Sequence, residues 1–229
     1  MADRIDAAWN TAQPSRPARS FYAVARGLLV GGCYAWFRLE VDGRERVPGS
    51  GPFILAPVHR SNLDTPIVAS VTRRPLRFMG KDSLWRANTL FSWVLSALGG
   101  FPVHRDSADR EALRRCEAVL RAGQPLVLYP EGSRRSGPIV EGVKDGPAFL
   151  ALRTGTPIVP VGIGGSERAQ PKGRRLIRPV KVHVVVGEPL VPAVRGEGRA
   201  TSRRAVREFS EQLHGELQAL FDEAQARLS

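Results

Sequence analysis

The sequence has little cysteine, little lysine and no long uninterrupted apolar segment. Its two cysteines, Cys33 and Cys116, cannot form a disulfide framework or a cysteine-rich zinc site. Repeats and low-complexity tracts are also lacking, and 42% of the residues are hydrophobic, so disordered and collagen-like chains are excluded. A chain of 229 residues is long enough to bury a core without covalent cross-links.

Acidic residues are scarce relative to basic ones. Lysine and arginine together number 34, and aspartate and glutamate 22, so the net charge is 34 − 22 = +12. This excess predicts an anionic partner, which is a nucleic acid, an anionic membrane surface or a phosphorylated ligand. Only four of the 34 basic residues are lysines, so an arginine bias of genome composition is the alternative explanation for much of the excess.

The most apolar segment is 21–37, near the start of the sequence. Its uninterrupted part, 27–37, has 11 residues, whereas a membrane-spanning helix needs about 20. The segment therefore predicts an N-terminal membrane-associating helix that lies in the interface, with Tyr22, Tyr34 and Trp36 at headgroup depth. The flanking basic residues are Arg16, Arg19 and Arg38. An ordinary helix packed on the core is the alternative.

A second apolar segment, 84–101, contains Arg86 as its one charged residue. Periodicity does not separate a buried core helix from a membrane element in such a case. Residues 1–20 contain acidic residues and no apolar run, so no secretory signal is predicted.

Short apolar runs alternate with helical patterns along the chain. The predicted strands are 38–41, 53–58, 76–79, 126–129, 158–163 and 180–186. The predicted helices are 65–72, 84–98, 107–121, 146–153 and 201–228, the last a C-terminal amphipathic helix with one apolar stripe. This order predicts an α/β fold with a mostly parallel central sheet flanked by helices. We divide the chain into residues 1–37, a tail with the membrane-associating helix, and a domain at 38–229.

His59 is the first polar side chain after the predicted strand 53–58, and Asp64 follows it five positions later. Ligands of parallel sheets bind at the carboxyl ends of strands, so this junction is a candidate site. Across a tight turn the carboxylate can hold one ring nitrogen as N–H and leave the other as a base. The alternative is a structural histidine beside a helix cap.

Two further junctions supply basic residues. The predicted strand 126–129 leads into Pro130-Glu-Gly-Ser-Arg134-Arg135, where two guanidinium groups on a turn suit phosphate oxygens. A solvated charged loop is the alternative. Arg105 follows the apolar segment 84–101 and is another candidate anion ligand. The stretch 168–181 has six positive charges and no acid, which suits lipid headgroups or the phosphates of coenzyme A, unless it is a solvated loop.

Four short blocks occur in a particular order. They are His59 with Asp64, Phe101 to Arg105, Tyr129-Pro-Glu-Gly-Ser-Arg134, and Thr156-Pro-Ile-Val-Pro160. Together they resemble the glycerolipid (lysophospholipid) acyltransferase family over residues 38–190. Val58 departs from the family pattern, which often has Asn before the histidine.

The resemblance implies that His59 deprotonates the glycerol hydroxyl of an acceptor and that Asp64 orients the imidazole. The resulting alkoxide would attack the thioester of acyl-CoA or acyl-carrier protein. Because that thioester is already activated, the resemblance implies no metal and no further cofactor. The substrate-binding residues implied by the resemblance are Lys81, Arg105, Glu131, Gly132, Ser133 and Arg134.

The family's usual acceptor is a lysophospholipid, 1-acylglycerol-3-phosphate above all, which becomes phosphatidic acid in phospholipid biosynthesis. The expected location is the cytoplasmic face of the cell membrane, with peripheral or monotopic attachment to an anionic surface. Another lyso-lipid or glycolipid acceptor, or a lipid or thioester hydrolase, is the alternative. A catalytically silent relative would be expected to lose His59 or Asp64. Nucleic acid is not an expected partner, because the aromatic residues cluster in apolar segments and are not interleaved with basic residues.

Overall fold

The structure is a computed structural model that describes residues 16–81, 85, 88–103, 109–171, 173–193 and 201–228. The helices are α1 (Arg16–Phe37), α2 (Asp64–Val68), α3 (Thr89–Ala97), α4 (Asp109–Arg121), α5 (Gly146–Thr154), α6 (Ser166–Ala169) and α7 (Arg203–Ala226). The strands are β1 (Glu40–Asp42), β2 (Ile54–Pro57), β3 (Arg77–Lys81), β4 (Gly100–Val103), β5 (Leu126–Val127), β6 (Ile158–Gly164) and β7 (His183–Val186). Short 3₁₀ turns lie at Arg44–Arg46 and Ala69–Val71.

The strands form one sheet in the order β1-β7-β6-β2-β5-β3-β4. Every neighbouring pair is parallel except β6 and β7, which are antiparallel. Strands β6, β2, β5, β3 and β4 therefore run in one direction, and β1 and β7 run in the other. The prediction of a mostly parallel central sheet is confirmed.

The central strands are buried along their whole length, as expected for a parallel sheet with helices on both faces. Right-handed crossovers place α2 and α3, which lead from β2 to β3 and from β3 to β4, on one face. The connections through α4 and α5 move the opposite way across the sheet, so these helices lie on the other face.

The first and last helices complete the two layers. Helix α1 packs against α2 and α3, and the amide of Leu76 donates a hydrogen bond to the Tyr22 hydroxyl. Helix α7 packs on α5, β6 and β7, with Ser202 as its N-cap. Six of the seven residues of the predicted stripe are buried, namely Val206, Phe209, Leu213, Leu217, Phe221 and Ala224. The seventh, Leu228, follows the end of α7 and is half-buried. The domain boundary at residue 37 stays a prediction.

The observed elements differ from the predicted ones in the segment 84–101. Helix α3 covers Thr89–Ala97 of the predicted helix 84–98, of which residues 84, 86 and 87 lie outside the described residues. Strand β4 follows α3 where no strand was predicted. Gly100 and Pro102 disfavour a strand locally, but β4 pairs with β3 along its whole length, so the pairing overrides the propensity. Within the described part of the chain, no helix is both long enough and apolar enough to cross a membrane.

Candidate active site

The candidate site lies at the carboxyl ends of β2 and β5, which are neighbours in the middle of the sheet. Their register pairs Leu55 with Val127, so the loops that follow the two strands leave the sheet side by side. Val58, the residue before His59, is fully buried, and its amide donates a hydrogen bond to the carbonyl of Val161. The pairing of β2 with β6 therefore extends to the residue next to His59. His59 thus follows a rigid strand directly.

His59 and Asp64 are in contact, as predicted. The Nδ1 atom of His59 lies 3.0 Å from Oδ2 of Asp64, and the backbone amides of Arg60 and Ser61 each donate to the same oxygen at 2.7 Å. The Asp64 side chain is fully buried, so this carboxylate is fixed by three donors. With Nδ1 donating to Asp64, the tautomer leaves Nε2 unprotonated, which is the arrangement of a general base.

Tyr129 fixes the plane of the imidazole. Its ring stacks on that of His59 with the centroids 3.9 Å apart and an interplanar angle of 25°. The Tyr129 hydroxyl forms a 3.1 Å hydrogen bond with the Thr65 hydroxyl. Burial, with a smaller contribution from the charge of Asp64, raises the pKa of Tyr129, so the phenol stays neutral beside the base.

Residues 58–63, which connect β2 to α2 and which we call the catalytic loop, cover Glu131, so this side chain does not line the cavity that opens beside His59. The Glu131 side chain is fully buried, Oε2 accepts from the amide of His59 at 2.8 Å, and Oε1 accepts from the guanidinium of Arg60 at 2.6 Å. Arg60 also donates to the carbonyl of Ile139 and lies over the ring of Phe221, at 4.7 Å from its centroid. This geometry favours a positioning role for Glu131 over the direct substrate contact that the resemblance predicts.

A cavity of about 1010 Å³ opens beside His59, at the upper end of the usual size for small-molecule sites. Its apolar wall is formed by Met79, Leu113, Cys116, Val127, Phe149 and Leu150. Burial raises the pKa of the Cys116 thiol to about 12, so this side chain is neutral and acts as a small apolar group. The cavity therefore combines a base with a largely apolar wall.

Three basic residues that belong to no sequence motif described above also line the cavity, namely Lys144, Arg203 and Arg207. Lys144 reaches the site because its amide bonds to the carbonyl of Pro130 and its side chain crosses Gly132. Gly132 has a φ of +67°, and a Cβ there would lie 2.8 Å from Cε of Lys144. A glycine is therefore required at 132 both for the turn and for the passage of the lysine.

The other predicted substrate-binding residues fall into two groups. Ser133 is exposed and Arg134 half-buried, and neither is among the described residues that line the cavity. For Lys81 only the backbone is described, at the end of β3 beside Val103, while Arg105 lies outside the described residues. The roles predicted for these four residues stay predictions.

The sequence model of the acyltransferase family matches residues 38–164, which hold all of the strands from β1 to β6 and the site described above. The chain belongs to the acyltransferase family. The family resemblance seen in the sequence blocks is thereby confirmed.

Two curated relatives of this acyltransferase-family chain are named as 1-acyl-sn-glycerol-3-phosphate acyltransferases. The chain is 25% identical over 161 residues to the chloroplastic 1-acyl-sn-glycerol-3-phosphate acyltransferase LPAT1 of Arabidopsis thaliana, and the match covers 69% of this chain and 45% of that protein. It is 30% identical over 149 residues to the 1-acyl-sn-glycerol-3-phosphate acyltransferase of Streptococcus pneumoniae, covering 62% of this chain and 54% of that protein. The chain thus spans about half the length of these relatives.

Among solved structures, the fold is similar to that of PlsC, the 1-acyl-sn-glycerophosphate acyltransferase of Thermotoga maritima. The TM-score is 0.70 at 23% sequence identity, over 96% of this chain and 88% of that one. This likeness supports the fold: a mostly parallel sheet with helices on both faces.

Proposed function

We propose that the protein transfers a fatty acyl group from an acyl thioester to the free hydroxyl of a lysophospholipid. The observation that carries this proposal is the contact of His59 Nδ1 with the buried Asp64 carboxylate at the wall of a largely apolar cavity. The acceptor we place first is 1-acylglycerol-3-phosphate, the substrate named for the curated relatives, with phosphatidic acid as the product.

The proposed reaction is one proton transfer coupled to one acyl transfer. Nε2 of His59 takes the proton of the acceptor hydroxyl, and the resulting alkoxide attacks the carbonyl carbon of the thioester. The C–O bond forms, the C–S bond breaks, and the leaving thiolate takes the proton back from the imidazolium. The products are an ester and a free thiol, of coenzyme A or of a carrier protein, and the balance requires no metal or other cofactor.

Phosphate binding is proposed for two sets of cations. Lys81, Arg105 and Arg134 are proposed from the sequence resemblance. Lys144 is proposed from its position, because it crosses the turn at Gly132 and lines the same cavity as His59. A phosphate held between these groups and the imidazole would leave the glycerol hydroxyl within reach of the base.

The apolar wall of the cavity is proposed to hold the fatty acyl chain, and this can be tested by filling it. Replacing Leu113 by Trp adds a large ring to the cavity wall, so we expect a shift in preference towards shorter acyl-CoA chains. The measurement is kcat/KM across a series of acyl-CoA lengths. Ala118→Trp is the matched control, because residue 118 is on the same helix but exposed, and it should leave the preference unchanged. An unchanged length profile in Leu113→Trp would show that the acyl chain lies elsewhere.

Membrane attachment is proposed for α1. From residue 23 to residue 36 its one charged side chain is Arg26, which donates to the backbone carbonyls of Ala69 and Thr72. The outward side of the helix instead exposes apolar side chains, namely Val24, Leu28, Leu29, Tyr34 and Trp36. This apolar face suits the interface of a bilayer, which supports peripheral or monotopic attachment. We propose the anionic cytoplasmic face of the cell membrane as the surface, because the chain has a net charge of +12.

The acceptor can be tested with a panel of lysophospholipids, a glycolipid acceptor and water, each with one labelled acyl-CoA and purified protein. We expect label in phosphatidic acid to exceed label in every other product. A larger yield with another lyso-lipid would change the acceptor and keep the chemistry. Label found only as free fatty acid would indicate the hydrolase that the same His–Asp pair could also support.

A further inference from the structure

Residues 173–179, which we call the basic loop, connect α6 to β7 and are exposed without exception. At their centre Leu176 and Ile177 are 72% and 40% exposed. Arg174, Arg175 and Arg178 flank this pair, and in the part of the chain that the structure describes none of the three forms an ion pair with a carboxylate. The basic loop therefore presents two adjacent aliphatic side chains to solvent between three arginines that have no carboxylate partner among the described residues, so one small surface is both apolar and cationic.

The basic loop is tied to the catalytic loop. The Ser61 hydroxyl donates to the carbonyl of Gln170 at 3.0 Å, and Ser61 is one of the residues whose amide holds Asp64. The base of the loop is closed by the amide of Arg178, which donates to the carbonyl of Ala169 at 2.9 Å. These two hydrogen bonds hold the base of the basic loop close to the residues that follow His59.

The strand register places the basic loop at the same edge of the sheet as the active site. His183, which begins β7, is opposite Gly164, which ends β6. Since β6 runs parallel to β2, the start of β7 lies at the edge where β2 leads into His59. Helix α1 ends at this edge too, because the amide of Val182 bonds to the carbonyl of Phe37.

We propose that the basic loop is a second membrane-contact element, in which Leu176 and Ile177 enter the bilayer interface and the three arginines bind the phosphates of anionic lipids. Aliphatic side chains gain by leaving water, and arginines near an anionic surface are attracted to it, so the two features suit one ligand surface. With α1 as the first contact, the loop turns the active-site edge of the sheet towards the membrane. The functional reason for this orientation rests on the proposed acyl transfer. The membrane contact of the basic loop does not depend on that proposal.

The test is vesicle co-sedimentation of the full chain, which requires no turnover. We compare wild type, Leu176→Ser with Ile177→Ser, and Arg174→Gln with Arg175→Gln and Arg178→Gln, on vesicles of phosphatidylcholine alone and of phosphatidylcholine with phosphatidylglycerol. The matched control is Val191→Ser, which removes an equally exposed aliphatic side chain, at 71%, next to Leu190 at the opposite edge of the sheet.

We expect the serine pair to weaken binding to the mixed vesicles by about tenfold or more, as loss of two inserted aliphatic side chains requires. The glutamine triple variant should lose the preference for anionic vesicles, and Val191→Ser should bind as wild type. Loop variants that bind like wild type would overturn the proposal. So would loop variants that bind vesicles normally but fail to bind an acidic acyl carrier protein, which would make the loop a protein-docking surface. Acyl transfer by wild type is measured in a separate assay. If that assay shows no transfer, the co-sedimentation results still decide whether the basic loop binds the membrane.

Discussion

Replacing His59 by alanine is expected to lower acyl transfer by at least about 100-fold while leaving the fold intact. General-base catalysis contributes about 10²- to 10⁴-fold, and the His59 ring is the group that Asp64 orients towards the cavity. The side chain is 18% exposed, and without it Asp64 keeps its hydrogen bonds from the amides of Arg60 and Ser61, so we expect only a small loss of stability. The measurements are kcat for acyl transfer and the free energy of unfolding in urea.

The chain offers a matched control for this substitution. His183 also contacts carboxylates, with Nδ1 at 3.1 Å from Glu40 and Nε2 at 2.9 Å from Asp42, but it is not among the residues lining the cavity. His183→Gln should therefore keep kcat even if it lowers stability. Equal losses of kcat in the two variants would indicate a structural effect and argue against His59 as the base.

Replacing Glu131 by glutamine is expected to have the largest effect on stability. The amide can still accept from the backbone of His59, but it leaves the guanidinium of Arg60, which is 1% exposed, without a negative partner. Removing one member of a buried ion pair costs about 3–5 kcal/mol. Because Arg60 and Glu131 together support the catalytic loop, kcat should fall as well.

Two further variants make the Glu131 prediction specific. Arg60→Met with Glu131→Gln removes both charges and should recover much of the lost free energy of unfolding, because no buried charge is left without a partner and the glutamine oxygen can still accept from the amide of His59. Glu188→Gln breaks an ion pair with Arg46 in which the Glu188 side chain is 76% exposed, and it should cost at most about 1 kcal/mol. A Glu131→Gln variant that matches wild type in unfolding would show that the buried pair does not hold the loop.

The general plan of the fold could be predicted from the sequence because the buried strands are short, apolar and separated by amphipathic helices. The approach of His59 to Asp64 was also predictable, since five residues across one turn leave little freedom. Strand β4 is not predictable from the sequence, because its glycine and proline have low strand propensity. The antiparallel direction of β7 is not predictable either, because strand direction depends on the path of the connecting chain.

The supporting contacts of the site could not be predicted in the same way. Arg60 meets Glu131 only because β5 is inserted between β2 and β3 in the sheet, and a single sequence does not state that order. Lys144 enters the cavity through one backbone hydrogen bond to Pro130 and a glycine at 132 that gives it room. The sequence motif pointed to Glu131 as a substrate-binding residue, and its contacts with the amide of His59 and with Arg60 add a positioning role that the sequence did not suggest.

The most direct test follows the fate of the acyl group. Purified wild type and His59→Ala are incubated with acyl-labelled coenzyme A thioester and 1-acylglycerol-3-phosphate, and mass spectrometry quantifies labelled phosphatidic acid, labelled free fatty acid and released thiol. For wild type we predict one labelled phosphatidic acid for each thiol released, and for His59→Ala a yield of phosphatidic acid at least about 100-fold lower. Thiol release by wild type with the label recovered as free fatty acid, or undiminished transfer by His59→Ala, would contradict the account.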